Sequence, residues 1–380
     1  MIFLDNASTT KLSLRAKDAI IQGADNFINP SASYSAGLNN KKIIEDAKKT
    51  ILSNLKVQYK ENLIFTASAT EANNLAVFGS AKAGKEQYLF SAGEHLCVYN
   101  CATELKNRGY NVKFIPLTAD GVVDVEIFEE LLKEPTAFVS CLHVSNETGA
   151  INDIEKLSNL TKSKWPNAVF HSDGVQAFGK IEVNLSKLKN VDLYTISAHK
   201  INGPKGIGAL YVKNKNKLKT LIFGGGQEYN LRSGTENLPS ICAFSEASKE
   251  RLENLNNNLE KVKKLNSIFR SEIEKHNLKN VKFNSTTSNS PYILSMSFVG
   301  VKGETLVRMC DDDGLLVGTG SACSSKKTSL NRVLLAMGKS KEETEGAIRV
   351  SFSHENTEDE VKIASEILVK NFLQLQSMLA

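Results

Sequence analysis

The sequence has no apolar run long enough to cross a membrane. A helical span needs roughly 20 consecutive apolar residues, and no stretch of this chain approaches that length. Asp5 also comes too early for the apolar core of a secretory signal peptide. We therefore predict a cytoplasmic protein without a membrane segment.

Cysteine is scarce, with six residues at irregular positions in a chain of 380. Disulfide frameworks are typical of short secreted chains that cannot build a large core. This chain is 41% apolar, which suffices for one large or two ordinary domains. We expect the cysteines to be reduced, and at least one of them to be reactive.

The chain also lacks a basic block, an internal repeat and a low-complexity segment. Its formal net charge of +5 is spread along the sequence rather than gathered on one stretch. A nucleic-acid partner is therefore not indicated.

Segments typical of strands and helices alternate through the first two thirds of the chain. The predicted helices cover residues 13–27, 39–55, 71–81, 96–107, 125–132 and 153–162. The predicted strands cover residues 63–66, 87–90, 111–115, 137–144, 168–172, 191–196 and 207–212. This alternation predicts an α/β fold in which helices cover both faces of a mostly parallel sheet.

The remaining third has a different pattern. One long amphipathic helix is predicted over residues 244–276, followed by strands near 293–299 and 347–352 and a last helix from Glu358. We predict a large domain over residues 13–245. A smaller α+β domain would combine residues 1–12 with 246–380 and carry the glycine-broken stretch 314–324.

Polar residues follow several predicted strands, where ligands bind in open α/β sheets. Ala69, Thr70 and Glu71 open a helix, which suits a phosphate but is equally typical of an ordinary N-cap. His95 follows the next strand, where it would stack on a flat ring or serve the structure only.

Asp173 and Gln176 follow the strand at 168–172. A buried acid needs a partner, and a protonated pyridine nitrogen is one. A metal bound with His171 is the rival interpretation, since residues two apart point to one side of a strand. No third ligand stands at a convincing spacing.

Lys200 comes just after the predicted strand 191–196, beside Ser197 and His199. A partly desolvated lysine has a lowered pKa and can form a Schiff base with a carbonyl. The alternative is an ordinary solvated loop lysine, which only the surrounding residues can exclude.

These features together match the needs of pyridoxal 5'-phosphate, and the chain resembles a cysteine desulfurase of the NifS/IscS type, a fold-type I pyridoxal-phosphate enzyme. The resemblance runs nearly end to end. The matching motifs, in order, are Leu4-Asp-Asn-Ala-Ser-Thr-Thr10, Asn29-Pro-Ser31, Ala69-Thr-Glu71, Glu94-His95, His143-Val-Ser-Asn-Glu147, Asp173-Gly-Val-Gln176, Ser197-Ala-His-Lys200, Gly203-Pro-Lys-Gly206, Gly224-Gly-Gly-Gln-Glu228, Arg232-Ser-Gly-Thr-Glu-Asn237, Gly320-Ser-Ala-Cys323 and Ile348-Arg349.

The resemblance implies a role for each matching residue. Lys200 would hold the cofactor covalently and move the substrate Cα proton. Asp173 would face the pyridine nitrogen, Gln176 the ring hydroxyl, and His95 would stack on the ring. The residues implied at the phosphate are Ala69, Thr70, Ser197 and His199, with Thr235 of the neighbouring subunit in a homodimer. Those implied at the substrate carboxylate are Asn146 and Arg349, with Asn29 assisting.

Cys323 is implied to take sulfur from L-cysteine as a persulfide. It lies in the glycine-containing stretch 314–327, whereas the other five cysteines lie in apolar or helical contexts and are predicted to be small core residues. Lys326, Lys327 or the substrate amine would help to deprotonate it. The sulfur would pass to an iron-sulfur scaffold protein of the NifU/IscU kind, with tRNA thiolation left open. No intrinsic metal is expected, although Cys323 could transiently ligate a cluster with a scaffold partner.

Two other activities fit the same fold, selenocysteine lyase and aminotransferase, and an aminotransferase has no use for a loop cysteine. A non-catalytic scaffold would lack Lys200 or Cys323. The chain departs from the family at Ser68, where glycine is usual, and at Asn202, where an aromatic residue is common.

Overall fold

A computed structural model describes residues 1–57, 63–320 and 330–379. The helices are α1 (Leu14–Asp25), α2 (Ser35–Asn54), α3 (Ala69–Ser80), α4 (Leu96–Asn107), α5 (Val125–Leu131), α6 (Ile154–Lys164), α7 (Leu238–Glu253), α8 (Leu255–Lys275), α9 (Gly303–Asp312), α10 (Arg332–Ala336), α11 (Lys341–Glu345) and α12 (Glu358–Leu379). The strands are β1 (Ile2–Phe3), β2 (Leu63–Thr66), β3 (Gln87–Ser91), β4 (Asn111–Ile115), β5 (Thr136–Ser140), β6 (Val169–Asp173), β7 (Leu193–Ser197), β8 (Gly208–Val212), β9 (Val281–Phe283), β10 (Ile293–Phe298), β11 (Leu315–Leu316) and β12 (Ala347–Ser351).

The main sheet has seven strands in the order β2-β8-β7-β6-β5-β3-β4. Strands β3 to β7 pair in parallel, and β8 runs antiparallel to both β7 and β2. Every residue of β3, β6 and β7 is buried, because helices cover both faces of the sheet. The predicted α/β class with a mostly parallel sheet is confirmed.

Alternate side chains of each strand enter two different cores. Leu63 and Leu89 pack in the core that also contains apolar residues of α2, α5, α6 and α7. Ile64 and Phe90 pack in the core that contains apolar residues of α3 and α4. The period-two alternation of a strand thus assigns these two groups of helices to opposite faces.

The C-terminal part has an antiparallel sheet in the order β12-β10-β9, and β1 pairs in parallel with β11. Its core joins Leu4 and Ala7 to apolar residues between 262 and 375. The first residues therefore pack with the last third of the chain. The division into domains at residue 245 stays a prediction.

The structure corrects the single helix predicted over 244–276. It has two helices, α7 and α8, which meet at Asn254 with φ −114° and ψ 15°. Helix α7 packs on α1 and α2, whereas α8 packs on α12, so the break redirects the chain between two groups of helices. The predicted strand 137–144 is also shorter, since β5 ends at Ser140 and leaves residues 141–146 as a connection. Within the described ranges, no helix combines the length and apolarity that a membrane span requires.

Candidate active site

A cavity of about 510 Å³ lies at the carboxyl ends of the central strands. Residues that follow β3, β5, β6 and β7 line it together with the start of α3. Nine of the residues predicted from the sequence line this one cavity: Ala69, Thr70, His95, Asn146, Asp173, Gln176, His199, Lys200 and Arg349.

Four predicted residues are not among those lining the cavity. Ser197 ends β7 and is buried, while Asn29 and Thr235 are exposed. The Asn29 side chain accepts a hydrogen bond from the Ser31 backbone N–H at 2.8 Å, so its contact is local to its own loop. Cys323 lies outside the described residues.

Lys200 ends a short 3-10 helix, Ala198–Lys200, directly after β7. Its amine donates hydrogen bonds to the carbonyl oxygens of Ala7 and Ser8, both at 2.6 Å. Gln176 Nε2 also donates to the Ala7 carbonyl, at 2.9 Å. The N-terminal turn is therefore a wall of the cavity, and it connects Lys200 to Gln176.

Asp173 is the last residue of β6 and is buried. One carboxylate oxygen accepts from Asn73 Nδ2 at 2.7 Å and the other from the Val175 N–H at 3.0 Å. His171 on the same strand bonds instead to Ser140 and Thr195 in the core. Among the described residues there is no group of three or more His, Cys, Asp or Glu side chains that could hold a metal ion.

Arg349 on β12 approaches the cavity from the C-terminal sheet. It donates to the Asp5 carboxylate at 2.8 Å and to the Asn146 carbonyl at 3.0 Å. Glu147 lies 3.9 Å from the guanidinium and accepts from Asn146 and Asn331. Burial raises the pKa of Glu147, and Arg349 opposes this rise.

His95 is the N-cap of α4, and its Nδ1 accepts from the Cys97 backbone N–H at 3.2 Å. In a neutral ring the proton is therefore on Nε2. Burial lowers the pKa of His95, although the nearby Asp173 charge opposes this effect. The ring is a neutral hydrogen-bond donor at neutral pH.

Glu94 also lines the cavity and is only 1% exposed. Its Oε1 accepts from the Ser140 hydroxyl at 2.8 Å. Burial, and after it the charge of Asp173, raises the pKa of Glu94 to about 8. The sequence pattern marked Glu94 only as the neighbour of His95, and its protonation follows from tertiary contacts.

Arg332 also lines the cavity, although no motif in the sequence pointed to it. Its guanidinium donates to the carbonyls of Ala92 and Glu94 and lies 4.0 Å from the centre of the Tyr99 ring. It connects α10 to the loop that carries His95. This contact joins positions 240 residues apart, so no local pattern could have predicted it.

Cys97 corrects another interpretation, since it lines the cavity rather than serving only as a small core residue. Its sulfur lies 3.0 Å from His95 Nδ1 and accepts from Asn73 Nδ2 at 3.1 Å. Burial raises the pKa of the thiol, so the group is protonated.

The start of α3 supplies groups suited to a phosphate. Its first N–H groups have no partner within the helix, and they lie at the positive end of its dipole. A Cβ on Gly208 would lie 2.7 Å from the Ala69 nitrogen, so only glycine lets β8 approach this closely. Ser68 caps the helix through a 3.1 Å bond from Glu71 N–H, with an extended φ of −168° that needs no glycine.

Asn202, the second departure from the family pattern, has a left-handed φ of 65°. Asparagine tolerates this conformation better than an aromatic residue does. Its side chain donates to the Lys11 carbonyl at 2.8 Å and so holds the N-terminal segment beside Lys200.

The model of the class V aminotransferase family matches residues 2–363 of this chain. The chain belongs to this family. Cysteine desulfurase IscS of Clostridium botulinum is 34% identical over 384 residues, which cover 99% of this chain and 96% of that protein. Cysteine desulfurase IscS 1 of Archaeoglobus fulgidus is 35% identical, with coverage of 100% and 98%.

Solved structures agree with this family membership. A NifS-like protein superposes with a TM-score of 0.90 at 31% identity, and 99% of each chain is covered. A NifS-like protein from Rickettsia africae gives a TM-score of 0.87 at 33% identity, again with 99% of each chain covered. The architecture is thus that of a fold-type I pyridoxal-phosphate enzyme.

The cavity fits pyridoxal 5'-phosphate, the cofactor of this family. Lys200 offers an amine, Asp173 a carboxylate, and the start of α3 with His199 offers phosphate donors. Ser197 Oγ is buried without a hydrogen-bond partner in the described part of the chain, and a buried hydroxyl of that kind needs one. A phosphate beside Ser197 and His199 would satisfy it.

Proposed function

We propose that this protein is a cysteine desulfurase that removes sulfur from L-cysteine, giving L-alanine and a persulfide on Cys323. The observation that carries the proposal is the grouping of Lys200, Asp173, His95 and Arg349 around one cavity. These residues come from four different parts of the sequence, and each matches a separate part of the cofactor or the substrate.

Lys200 would hold pyridoxal phosphate covalently, and Asp173, Gln176 and His95 would bind its ring. When bound, the cofactor supplies an electrophilic carbon and a protonated ring that withdraws electrons from the amino acid. Asp173 is suited to keep the ring nitrogen protonated, because its carboxylate is buried and fixed by two donors. Thr70, Ser197 and His199 would bind the phosphate together with the start of α3.

Arg349 would bind the substrate carboxylate, which matches a guanidinium in shape and charge. Its present contacts with Asp5 and the Asn146 carbonyl hold it in place at the cavity wall. Asn146 would assist, while Asn29 lies outside the cavity and would reach the substrate only by a change of its loop. Once Lys200 is released by the substrate amine, it can move the Cα proton.

Cys323 would attack the substrate sulfur as a thiolate. The new S–S bond forms as the carbon–sulfur bond of the substrate breaks. The electron pair of the broken bond stays on the carbon, and that carbon then takes up a proton to give alanine. Gly320 and Leu330, which flank the undescribed residues 321–329, both line the cavity. This placement supports a role at the cavity for the intervening stretch.

We further propose that the protein is a homodimer in the cytoplasm and passes its sulfur to an iron-sulfur scaffold protein. Thr235 is exposed and does not line the cavity of its own chain. If it binds the phosphate, it must do so in a neighbouring subunit.

Cys323→Ala tests the proposal. We expect the purified variant to keep the visible absorption of the cofactor and to respond to L-cysteine, but to release no sulfide when a thiol is present. Cys242→Ala, which removes a partly buried thiol on α7, is the matched control and should keep normal turnover. Normal sulfide release by Cys323→Ala would exclude the persulfide route.

A further inference from the structure

Asp173 and His95, the two groups assigned to the cofactor ring, are connected by a chain of hydrogen bonds. Asn73 Nδ2 donates to Asp173 at 2.7 Å and to the Cys97 sulfur at 3.1 Å. The Cys97 sulfur lies 3.0 Å from His95 Nδ1. The chain therefore connects two cavity-lining groups through two residues that the proposed mechanism does not use.

The direction of each bond follows from the donors available. His95 Nδ1 accepts the Cys97 backbone N–H and so carries no proton; the thiol beside it can act only as a donor, and the two donors share the one lone pair of Nδ1. Asn73 has two amide hydrogens, one for the thiol sulfur and one for the Asp173 carboxylate. Asn73 therefore donates to Asp173 and to Cys97, and the Cys97 thiol donates to His95.

A cysteine beside a histidine is also the arrangement of a nucleophilic thiolate and an imidazolium. Burial opposes that state here, since it lowers the pKa of His95 and raises that of Cys97. Both partners are therefore neutral, and the thiol acts as a hydrogen-bond donor.

We propose that Asn73 and Cys97 are positioning residues, which hold Asp173 and His95 in the orientation that the cofactor ring requires. Asn73 fixes the Asp173 carboxylate from the side of α3. Cys97 holds the His95 ring with its Nε2–H available to the cavity. This inference rests on the proposed cofactor role of the site, but it does not depend on which amino acid is the substrate.

The test compares the full-length variants Cys97→Ala, Cys97→Ser and Asn73→Ala with wild type. Cys101→Ala is the matched control, because it removes a buried thiol one turn further along α4, where the side chain packs in the apolar core. The first readout is the equilibrium constant for binding pyridoxal phosphate without cysteine. The second is the ¹⁵N resonances of the His95 ring in the cofactor-free chain.

Asn73→Ala removes a hydrogen bond to the charged Asp173 carboxylate, and we expect it to weaken cofactor binding about ten- to a hundredfold. Cys97→Ala removes a hydrogen bond between neutral groups, and we expect it to weaken cofactor binding about three- to tenfold. Cys97→Ser should recover most of this loss, because its hydroxyl also donates. The His95 Nδ1 resonance should shift in Cys97→Ala and return to its wild-type position in Cys97→Ser. In Cys101→Ala the cofactor binding constant should stay within about twofold of wild type, and the His95 Nδ1 resonance should not shift.

The proposal is overturned if Cys97→Ala and Asn73→Ala match Cys101→Ala in both readouts. Denaturant midpoints identify variants that do not fold, and Asn73→Ser replaces Asn73→Ala in that case. If wild type binds the cofactor with this ranking of variants but does not desulfurate cysteine, the positioning roles stand and the proposed function fails.

Discussion

Replacing Glu94 by glutamine tests whether a neutral carboxyl lies beside Asp173. Glu94 is 1% exposed, and burial raises its pKa from 4.5 to about 8, with the Asp173 charge as the second cause. An acid whose pKa is higher in the folded than in the unfolded chain makes its full contribution to the unfolding free energy at pH values below its pKa in the unfolded chain. That contribution is lost as the pH rises from about 4.5 to about 8.

The size of the loss follows from this pKa shift. The cost per pH unit inside the window is on the order of 1 kcal/mol, so wild type should lose roughly 2–3 kcal/mol through Glu94 between about pH 5.5 and 7.5. Glutamine has no proton to lose. The unfolding free energy of Glu94→Gln minus that of wild type should therefore rise by about this amount over the same interval.

Denaturant unfolding at fixed protein concentration measures this difference, with the cofactor bound and removed. If the glutamine amide destabilises the fold by an amount that does not vary with pH, this amount cancels, because only the change of the free-energy difference with pH is compared. Glu129→Gln on α5 is the same substitution at an exposed position and should show no such trend. Infrared spectra at pH 7 should show a protonated carboxyl band in wild type that the Glu94→Gln variant lacks.

A pH-dependent difference below about 0.5 kcal/mol, which is within the usual error of additivity, would refute the reasoning. So would infrared spectra at pH 7 that do not differ between the two proteins. Either result would mean that Glu94 is ionised in the folded state.

Three further outcomes are expected. Borohydride reduction of the purified protein followed by peptide mapping should find the cofactor on Lys200, and a label on any other lysine would contradict its assignment. Arg349→Lys should lower kcat/KM for L-cysteine about ten- to a hundredfold, because lysine keeps the positive charge but cannot make the two-pronged contact of a guanidinium; unchanged kinetics would remove Arg349 from substrate binding. Lys48→Ala should cost about 3–5 kcal/mol in the free energy of unfolding, since it leaves the buried Glu228 without its 2.6 Å ion pair. The exposed Lys49→Ala is its control, and an equal effect of the two changes would show that the buried pair is not important.

The sequence by itself determined the class of fold and much of the cavity lining. Strand and helix periods are local properties, so the elements from β2 to β8 could be read from the order of apolar residues. Ligand residues such as Lys200 and Asp173 directly follow strands, and the carboxyl ends of parallel strands meet at one edge of a sheet. Their convergence was therefore predictable without coordinates.

Only the tertiary structure decided how these groups are held and protonated. The contacts of Arg332 with the Glu94 loop and of Asn73 with Asp173 join residues at least 100 positions apart, and no periodicity reports such contacts. The raised pKa of Glu94 and the lowered pKa of His95 depend first on burial, which is a property of the packed chain rather than of the residue type. The break at Asn254 has the same origin, since α7 and α8 pack against different groups of helices.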